Sequence, residues 1–227
     1  MIASIHQPNF IPWIGFFYKI ARSDVFVILD DVQFTKNGFT NRNRIKTRLG
    51  ESWLTLPVTQ SGRFGQNVNE CIIQNKPFII SKIIKTIRAN YQKAPHFNWL
   101  FSELESSFFS ETNALSILNI NLIKIICGKL EINTPILISS NLNDISGEST
   151  ERLISICKSI GATEYLFGFG ASTYQDNFAF EKSGITPVKT NFSHPSYPQL
   201  WNDFIPNLSI IDLLFNVGPE SRTIFKK

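Results

Sequence analysis

Side chains that can move protons occur near the start of the chain. His6, Gln7 and Asn9 stand in the segment HQPNF, and Asp30 and Asp31 follow an apolar run further along. An imidazole beside a carboxylate can take a proton from an amine or a hydroxyl, and a side-chain amide can donate a hydrogen bond to an oxyanion. This set of residues indicates group transfer with His6 as general base. The alternative is a structural His6, whose ring bonds a backbone carbonyl and helps to turn the chain.

A basic segment follows the two aspartates. The stretch KNGFTNRNRIKTR carries lysines and arginines but no acid, and asparagine alternates with arginine over residues 41–44. Guanidinium groups bind phosphate and carboxylate through paired hydrogen bonds. The segment is therefore predicted either to hold an anionic substrate or to form a solvated basic surface.

Further positions are candidates for contacts with a substrate. Ser149 and Thr150 are predicted to begin a helix, whose amino terminus can also bind an anion. The segment FGFGAS has closely spaced glycines after a strand pattern, although it matches neither the dinucleotide fingerprint nor the P-loop. His194, which precedes a proline, is a candidate for binding or for structure. The predicted substrate-binding residues are Asn9, Trp13, Gln33, Lys36, Asn41, Arg42, Asn43, Arg44, Ser149, Thr150, Gly168, Tyr174 and His194.

Neither a metal site nor a disulfide framework is predicted. Asp30 and Asp31 have no histidine or glutamate at ligand spacing. The cysteines Cys71, Cys127 and Cys157 are odd in number and form no C-x-x-C pair, which favours a reducing compartment. Cys127 and Cys157 are expected in the core, and Cys71 is a weak candidate for a nucleophile.

The elements that must position these residues follow an alternating pattern. Residues 2–5 predict a short strand, a helix is predicted to begin at Pro12, and the apolar run from Asp24 to Asp31 predicts a strand buried on both faces. Further strands are predicted in WLTLPV, TPILIS and EYLFG, and around residues 71–74 and 188–192. We expect an α/β fold, with a mostly parallel sheet in a three-layer arrangement. Three helices within residues 78–133 are expected to form an inserted helical lobe of a single domain over residues 1–227.

Composition limits the classes of partner. With 227 residues and 43% hydrophobic content, the chain can bury a core without disulfides or metals. A net charge of +4 suits anionic small molecules and does not single out nucleic acid, so no DNA partner is expected. The start of the chain lacks a signal-peptide pattern, and the apolar stretch over residues 115–127 is too polar to span a bilayer. We expect a cytoplasmic protein without a membrane span, and the oligomeric state is not predicted.

Blocks along the chain resemble the WbqC-like protein family. They are, in order, HQPNFIPWIGFFYKI, DVFVILDDVQFTKNGFTNRNRIK, WLTLPV, STERLISICKSIGATEYLFG and YPQLWNDFIPNLSIIDLLFNVG. Members of this family occur in bacterial gene clusters for O-antigen and related polysaccharides, and glycine (aminoacyl) transfer has been suggested as their role. The resemblance implies an acyltransferase, of glycyl or aminoacyl type, that modifies an amino sugar or a nucleotide-linked sugar.

Acyl transfer gives the candidate residues specific tasks. His6 would be the base, Asp30 or Asp31 would orient it, and Gln7 and Asn9 would donate to the oxyanion. The acyl donor would be the phosphopantetheine of a carrier protein, coenzyme A or an aminoacyl-tRNA. The expected partners are therefore a small sugar substrate and an acyl carrier protein.

Two other functions stay open at this point. A strand followed by a histidine and a helix is similar to the opening of HIGH-type nucleotidylyltransferases, although no second histidine stands near His6. That reading predicts an ATP-dependent nucleotidylyltransferase or ligase. A non-catalytic carbohydrate-binding factor is the third possibility, and in such a protein His6 would be dispensable.

Overall fold

Seven strands form two sheets in this computed structural model, which describes residues 1–60, 62, 65–168, 170, 176–201 and 203–226. The larger sheet contains β1 (Ile2–His6), β2 (Val25–Ile28), β5 (Ile136–Ile138), β6 (Glu164–Phe167) and β7 (Thr186–Lys189). Its order is β5-β2-β1-β6-β7, and every pairing is parallel. The smaller sheet is an antiparallel hairpin of β3 (Arg42–Thr47) and β4 (Gly50–Thr55).

Helices cover both faces of the parallel sheet. They are α1 (Ile14–Arg22), α2 (Lys76–Tyr91), α3 (Phe97–Phe108), α4 (Leu115–Leu130), α5 (Ser149–Ser159), α6 (Asn177–Lys182) and α7 (Ile210–Val217). Phe26 of β2 packs with α1 on one face, whereas Val25 and Val27 pack with α5 and α6 on the other. Because successive side chains of a strand point to opposite faces, a strand covered on both sides is apolar throughout. The predicted α/β class with a mostly parallel sheet is confirmed.

Helices α2, α3 and α4 occupy most of the segment predicted to be helical. Their buried side chains belong to the same apolar cluster as those of α1 and α7. Asn119 of α4 reaches the loop after β1, where its Nδ2 donates to the carbonyl oxygens of Pro8 and Thr40, both at 2.7 Å. These helices therefore support the polar loop that begins with Gln7. Within the described ranges, no helix has the length and apolarity needed to cross a membrane.

Some predicted boundaries were wrong. The strand predicted over residues 71–74 forms only isolated bridges at Ile72 and Ile73, because these residues pair with single positions in two different segments. The strand predicted over residues 188–192 lies at 186–189 instead. β4 ends at Thr55, whereas the predicted strand WLTLPV runs to Val58, because Pro57 has no amide hydrogen with which to continue the ladder. Helix α6, of only six residues, was not predicted.

The strand order places β1 at a topological switch point. β1 has β2 on one side and β6 on the other. The connection from β1 to β2 passes through α1 on one face, and the connection from β5 to β6 passes through α5 on the opposite face. In open parallel sheets, loops diverge at such a point and leave a crevice at the carboxyl ends of the strands, where ligands bind. His6 is the last residue of β1.

Candidate functional site

Two neighbouring cavities lie at the carboxyl ends of β1 and β6. The larger cavity has a volume of about 510 Å³, and the smaller one has about 390 Å³. Both are in the size range of small-molecule sites. Ile5, His6 and Tyr165 line both cavities, so His6 stands between them. The larger cavity is also lined by Asn9, Trp13, Phe16, Lys19, Phe39, Arg44, Phe167, Gly168 and Asn207.

His6 is held as one neutral tautomer. Its Nδ1 lies 3.0 Å from the backbone carbonyl oxygen of Gln7. Because a carbonyl can only accept, Nδ1 carries the hydrogen and Nε2 keeps a free lone pair. Burial, and to a lesser degree the charge of Lys19, lower the pKa of His6 to about 3. Phe16 packs edge-on against the ring, at 5.1 Å between centroids. The orienting group is therefore the Gln7 backbone, where the sequence predicted Asp30 or Asp31.

The loop after β1 is fixed through its carbonyl groups. Four of its carbonyl oxygens accept hydrogen bonds from three separate parts of the chain. Asn119 Nδ2 donates to Pro8 at 2.7 Å, Asn43 Nδ2 to Phe10 at 3.2 Å and to Ile11 at 2.7 Å, Ser209 Oγ to Ile11 at 2.7 Å, and the Ile210 amide to Pro12 at 2.9 Å. The loop therefore holds its shape before any ligand binds.

Ile11 makes this loop strained as well as fixed. Its φ of 38° lies in the left-handed region, which β-branched residues rarely adopt. Such a residue costs on the order of 1–3 kcal/mol and persists only where its surroundings determine its conformation. Ile11 is buried, and its carbonyl oxygen accepts two of the hydrogen bonds just described. Strain of this kind is typical of functional loops.

Asn9 presents an unpaired amide to the larger cavity. Its side chain is 9% exposed and lines the cavity, yet it makes no hydrogen bond to the described residues. Trp13 forms another part of the wall, and its ring lies across the first turn of α1. A Cβ atom at Gly15 would come within 2.4 Å of that ring, so the glycine is what allows this position. Both Asn9 and Trp13 are thus available for the contacts that the sequence predicted.

Lys19 was missed by the sequence interpretation. Its side chain is 6% exposed, lines the larger cavity, and donates from Nζ to the Ile5 carbonyl oxygen at 3.2 Å. Burial lowers the pKa of this amine from 10.5 to about 7. The sequence did contain a sign that Lys19 is buried. This lysine lies between Tyr18 and Ile20 and three residues after Phe16, in a mostly apolar part of the helix.

The two asparagines of the basic segment serve the scaffold. Asn43 fastens the loop after β1, and Asn41 Nδ2 donates to the Leu56 carbonyl oxygen at 3.0 Å. Both residues are buried. Lys46 is also buried and donates from Nζ to Gln199 and to the Asp203 backbone, away from the cavities. Asn41 and Asn43, two of the predicted substrate-binding residues, therefore hold the hairpin and the loop after β1 together.

Arg44 and Phe39 line the larger cavity, and Arg42 and Trp53 lie next to them; we call these four side chains the mouth of the cavity. Arg44 lines the cavity and pairs with Glu51 at 2.9 Å. The Arg42 guanidinium stacks over Trp53, with its central carbon 4.1 Å from the ring centroid. Phe39 lies beside Trp53 at 5.8 Å between centroids, and both rings are nearly half exposed. The mouth is thus aromatic and cationic.

The two aspartates act as clamps between distant elements. Asp30 accepts from Ser139 Oγ at 3.1 Å, from the Ser140 amide at 3.1 Å and from Ser140 Oγ at 2.8 Å. Asp31 accepts from Ser139 and forms an ion pair with Arg152. These contacts join the end of β2 to the turn after β5 and to α5. They assign the pair a structural role where the sequence predicted a catalytic one. Among the described residues, no cluster of histidine, cysteine, aspartate or glutamate could hold a metal ion.

The smaller cavity gathers several of the predicted residues. Gln7, Gln33, Ser149 and Thr150 line it. The Gln7 Oε1 atom accepts a hydrogen bond from Thr40 Oγ1 at 3.0 Å, so this side chain is already paired. Lys36 is exposed and lines neither cavity. Gly168 lies in the wall of the larger cavity, and Tyr174 falls outside the described residues.

His194 holds the far wall of the larger cavity. Its Nδ1 bonds the Pro195 carbonyl oxygen at 2.8 Å, and its Nε2 accepts from the Asn207 amide at 3.1 Å. Burial lowers the pKa of His194, which keeps the ring neutral. Because both ring nitrogens are occupied, His194 positions Asn207 in the wall, and substrate binding by its ring stays a prediction.

The cysteines contribute no chemistry to these cavities. All three are buried and none is part of a disulfide among the described residues, and none of them lines either cavity. Burial raises the pKa of Cys127 and of Cys157 to about 12, so both thiols stay protonated and unreactive. Cys71 donates from Sγ to the Asn67 carbonyl oxygen at 3.4 Å. This arrangement leaves the imidazole and the amine as the reactive groups of the larger cavity.

The fold and the site define an α/β protein with two neighbouring cavities at the switch point of a parallel sheet. A sequence profile of the WbqC-like protein family matches residues 7–224. The protein named "Uncharacterized protein Rv1507c" of Mycobacterium tuberculosis (strain ATCC 25618 / H37Rv) is 39% identical over 220 residues, which are 96% of this chain and 94% of that protein. No solved structure matches this chain significantly. The chain belongs to the WbqC-like protein family, as its sequence blocks predicted.

Proposed function

We propose that this protein is an acyltransferase, of glycyl or aminoacyl type, that acts on an amino sugar or a nucleotide-linked sugar in bacterial O-antigen or related surface polysaccharide synthesis. The observation that carries this function is the tautomer of His6. Nε2 has a free lone pair, because Nδ1 donates to the Gln7 carbonyl oxygen. A base of this kind accepts the proton of an attacking amine or hydroxyl, and it needs no prior deprotonation above about pH 3.

The proposed reaction uses two residues of the larger cavity. The sugar amine attacks the carbonyl carbon of a thioester or ester, while His6 Nε2 takes the proton of the amine. Asn9, whose amide is unpaired, donates one of its two N–H hydrogens to the oxyanion. The tetrahedral intermediate then collapses, the carbon–sulfur or carbon–oxygen bond breaks, and His6 returns its proton to the leaving group. A pKa of about 3 makes His6 a weak base in the empty cavity, so a bound substrate must raise its basicity.

The mouth of the cavity supports a sugar substrate carried on a phosphate. Trp53 and Phe39 expose apolar ring faces against which a sugar ring can pack, and Arg44 offers a guanidinium to a phosphate. The donor would be coenzyme A, the phosphopantetheine of an acyl carrier protein or an aminoacyl-tRNA. The smaller cavity, on the other side of His6, would receive the second substrate.

Strand order favours a second candidate, a nucleotidylyltransferase. Numbered within the parallel sheet, its strands lie in the order 3-2-1-4-5, which matches the first five strands of the doubly wound sheets that bind nucleotides. In this function a histidine of the first turn would donate a hydrogen bond to a phosphate of ATP. His6 is poorly suited to that task, because its Nε2 carries no hydrogen while the ring is neutral.

One set of assays distinguishes acyl transfer from nucleotidylyl transfer. The purified protein is incubated with glycyl or acetyl thioesters of coenzyme A and pantetheine, with aminoacyl-tRNA, and with free and nucleotide-linked amino sugars. Products are identified by mass spectrometry, and parallel reactions with ATP and Mg²⁺ are monitored for pyrophosphate. We expect an acylated sugar, and we expect His6→Ala to lose about 10²–10⁴ in rate while it keeps its fold.

A matched control is His96→Ala, which removes a histidine at the start of α3 that lines neither cavity. Its acyl-transfer rate per folded molecule should equal that of the unmodified protein. Full activity in folded His6→Ala would end the catalytic assignment. Pyrophosphate release with transfer of AMP would replace acyl transfer by the nucleotidylyl function.

A further inference from the structure

The larger cavity has a cationic floor without an acid. Lys19 and Arg44 are the lysine and arginine of its wall, and no aspartate or glutamate of the described chain lines it. Arg44 has Glu51 as its counter-ion. For Lys19 the described contacts are one hydrogen bond, to the Ile5 carbonyl oxygen, and the ring of Phe26 at 5.8 Å. An ammonium group has three hydrogens, so two of them have no acceptor among these contacts.

A buried ammonium without a counter-ion is unfavourable. Burial removes its hydration, and a protein carboxylate would normally compensate for this loss. Lys19 is buried, with only 6% of its surface exposed, yet the described structure provides no ion pair for it. The position thus keeps a destabilising charge at a cavity wall, which is expected where a ligand supplies the missing negative charge.

A second group points to the same ligand. Asn9 is nine-tenths buried, and its side-chain amide lines the same cavity without a partner. An amide N–H and an ammonium together can satisfy two oxygens of one carboxylate or phosphate. His6 adds no negative charge, since it is neutral.

We propose that Lys19 and Asn9 form a binding site for an oxyanion of the substrate, either a carboxylate or a phosphate, on the floor of the larger cavity. This inference narrows the substrate class of the proposed acyl transfer. It rests on the proposed function only for the reaction after binding, and the binding site itself does not depend on that function. It assigns the substrate to the class of anionic small molecules and fixes where the negative charge lies.

The same anion would activate the base. The charge of Lys19 is the second cause, after burial, of the low pKa of His6. An oxyanion on Lys19 cancels that charge at the imidazole, so the pKa of His6 rises towards its usual value. A bound anionic substrate would therefore improve proton acceptance by Nε2, whereas a neutral analogue would leave His6 a weak base. Lys19 is thus a binding residue that also acts on catalysis through His6.

The test measures binding alone. Thermal melting and isothermal titration are recorded with inorganic phosphate and, separately, with acetate, at about pH 6.5 and about pH 9. We expect one of the anions to bind with saturation, about 10- to 100-fold more tightly than in Lys19→Met, since a charge-assisted hydrogen bond is lost. Asn9→Ala should weaken binding by a smaller factor. Binding should also weaken at the higher pH, where Lys19, with a pKa of about 7, is neutral.

Lys124→Met is the matched control, because it removes an exposed lysine of another helix. It should bind the anion as the unmodified protein does. Preference for phosphate assigns a phosphorylated substrate, and preference for acetate assigns a carboxylate. Equal affinity of Lys19→Met and the unmodified protein would overturn the proposal, and so would absence of binding for both anions over the millimolar range. Since no turnover is measured, failure of acyl transfer would leave this result unaffected.

Discussion

Replacement of Lys19 by methionine should stabilise the empty protein. Methionine has a similar length and no charge, so the variant keeps the packing of α1 and removes the buried ammonium. A pKa lowered from 10.5 to about 7 corresponds, at about 1.4 kcal/mol for each pKa unit, to about 5 kcal/mol of destabilisation at neutral pH. The lost hydrogen bond to Ile5 offsets about 1 kcal/mol of this. We expect a net increase in the free energy of unfolding of about 4 kcal/mol.

The gain in stability from Lys19→Met should decrease as the pH rises above neutral. Well above pH 10.5, Lys19 is neutral in the folded and in the unfolded chain, and its charge has no influence on stability. Between about pH 10.5 and 7 the unfolded chain binds the proton and the folded chain does not, so the free energy of unfolding falls as the pH falls. Below about pH 7 the penalty is complete and constant. The advantage of Lys19→Met is therefore largest at and below neutral pH.

Urea denaturation followed by circular dichroism measures this difference. Curves are recorded for the unmodified protein, for Lys19→Met and for the control Lys124→Met, at about pH 7 and about pH 10, without phosphate or carboxylate buffers. The difference between Lys19→Met and the unmodified protein should shrink at the higher pH. A Lys19→Met protein that is less stable at neutral pH would refute the reasoning, because it would mean that the ammonium is stabilised by its surroundings.

Two further predictions concern the scaffold and the mouth of the site. Asn43→Ala removes the donors to Phe10 and Ile11, so the free energy of unfolding should fall by about 2–3 kcal/mol, and binding in the larger cavity should weaken as the strained loop relaxes. Thermal melting and anion titration check both effects, and unchanged melting would contradict the clamping role. Trp53→Ala should leave the melting temperature within about 2 °C, since the ring is nearly half exposed, but should weaken binding of a nucleotide-linked sugar by about tenfold. Unaltered sugar affinity with Trp53→Ala would exclude the aromatic mouth from substrate binding.

The local pattern of the chain was sufficient for the α/β class, the mostly parallel sheet and the buried strand β2, whereas the strand order was not predicted. Residues 25–28 are apolar throughout because both faces of β2 are covered, and this feature can be read without any partner. Prolines after β1 predicted an interruption of that strand, and His6 does lie at its carboxyl end. The placement of a histidine at the opening of a crevice therefore followed from the order of strand, loop and helix.

Partners of the polar groups were decided by the tertiary structure alone. Asp30 bonds Ser139 across 109 positions of the sequence, and Asn119 reaches Pro8 across 111. Residue pairs so far apart produce no periodic pattern in the sequence. Asp30 or Asp31 was therefore predicted to orient His6, and the role of Asn119 was not predicted. The burial of Lys19 was not predicted from the sequence either. Its residue type predicts a solvated charge, and only the packing of α1 against the sheet buries it beside His6. Periodicity is set by neighbours along the chain, whereas burial and hydrogen-bond partners are set by segments that meet only in the folded state.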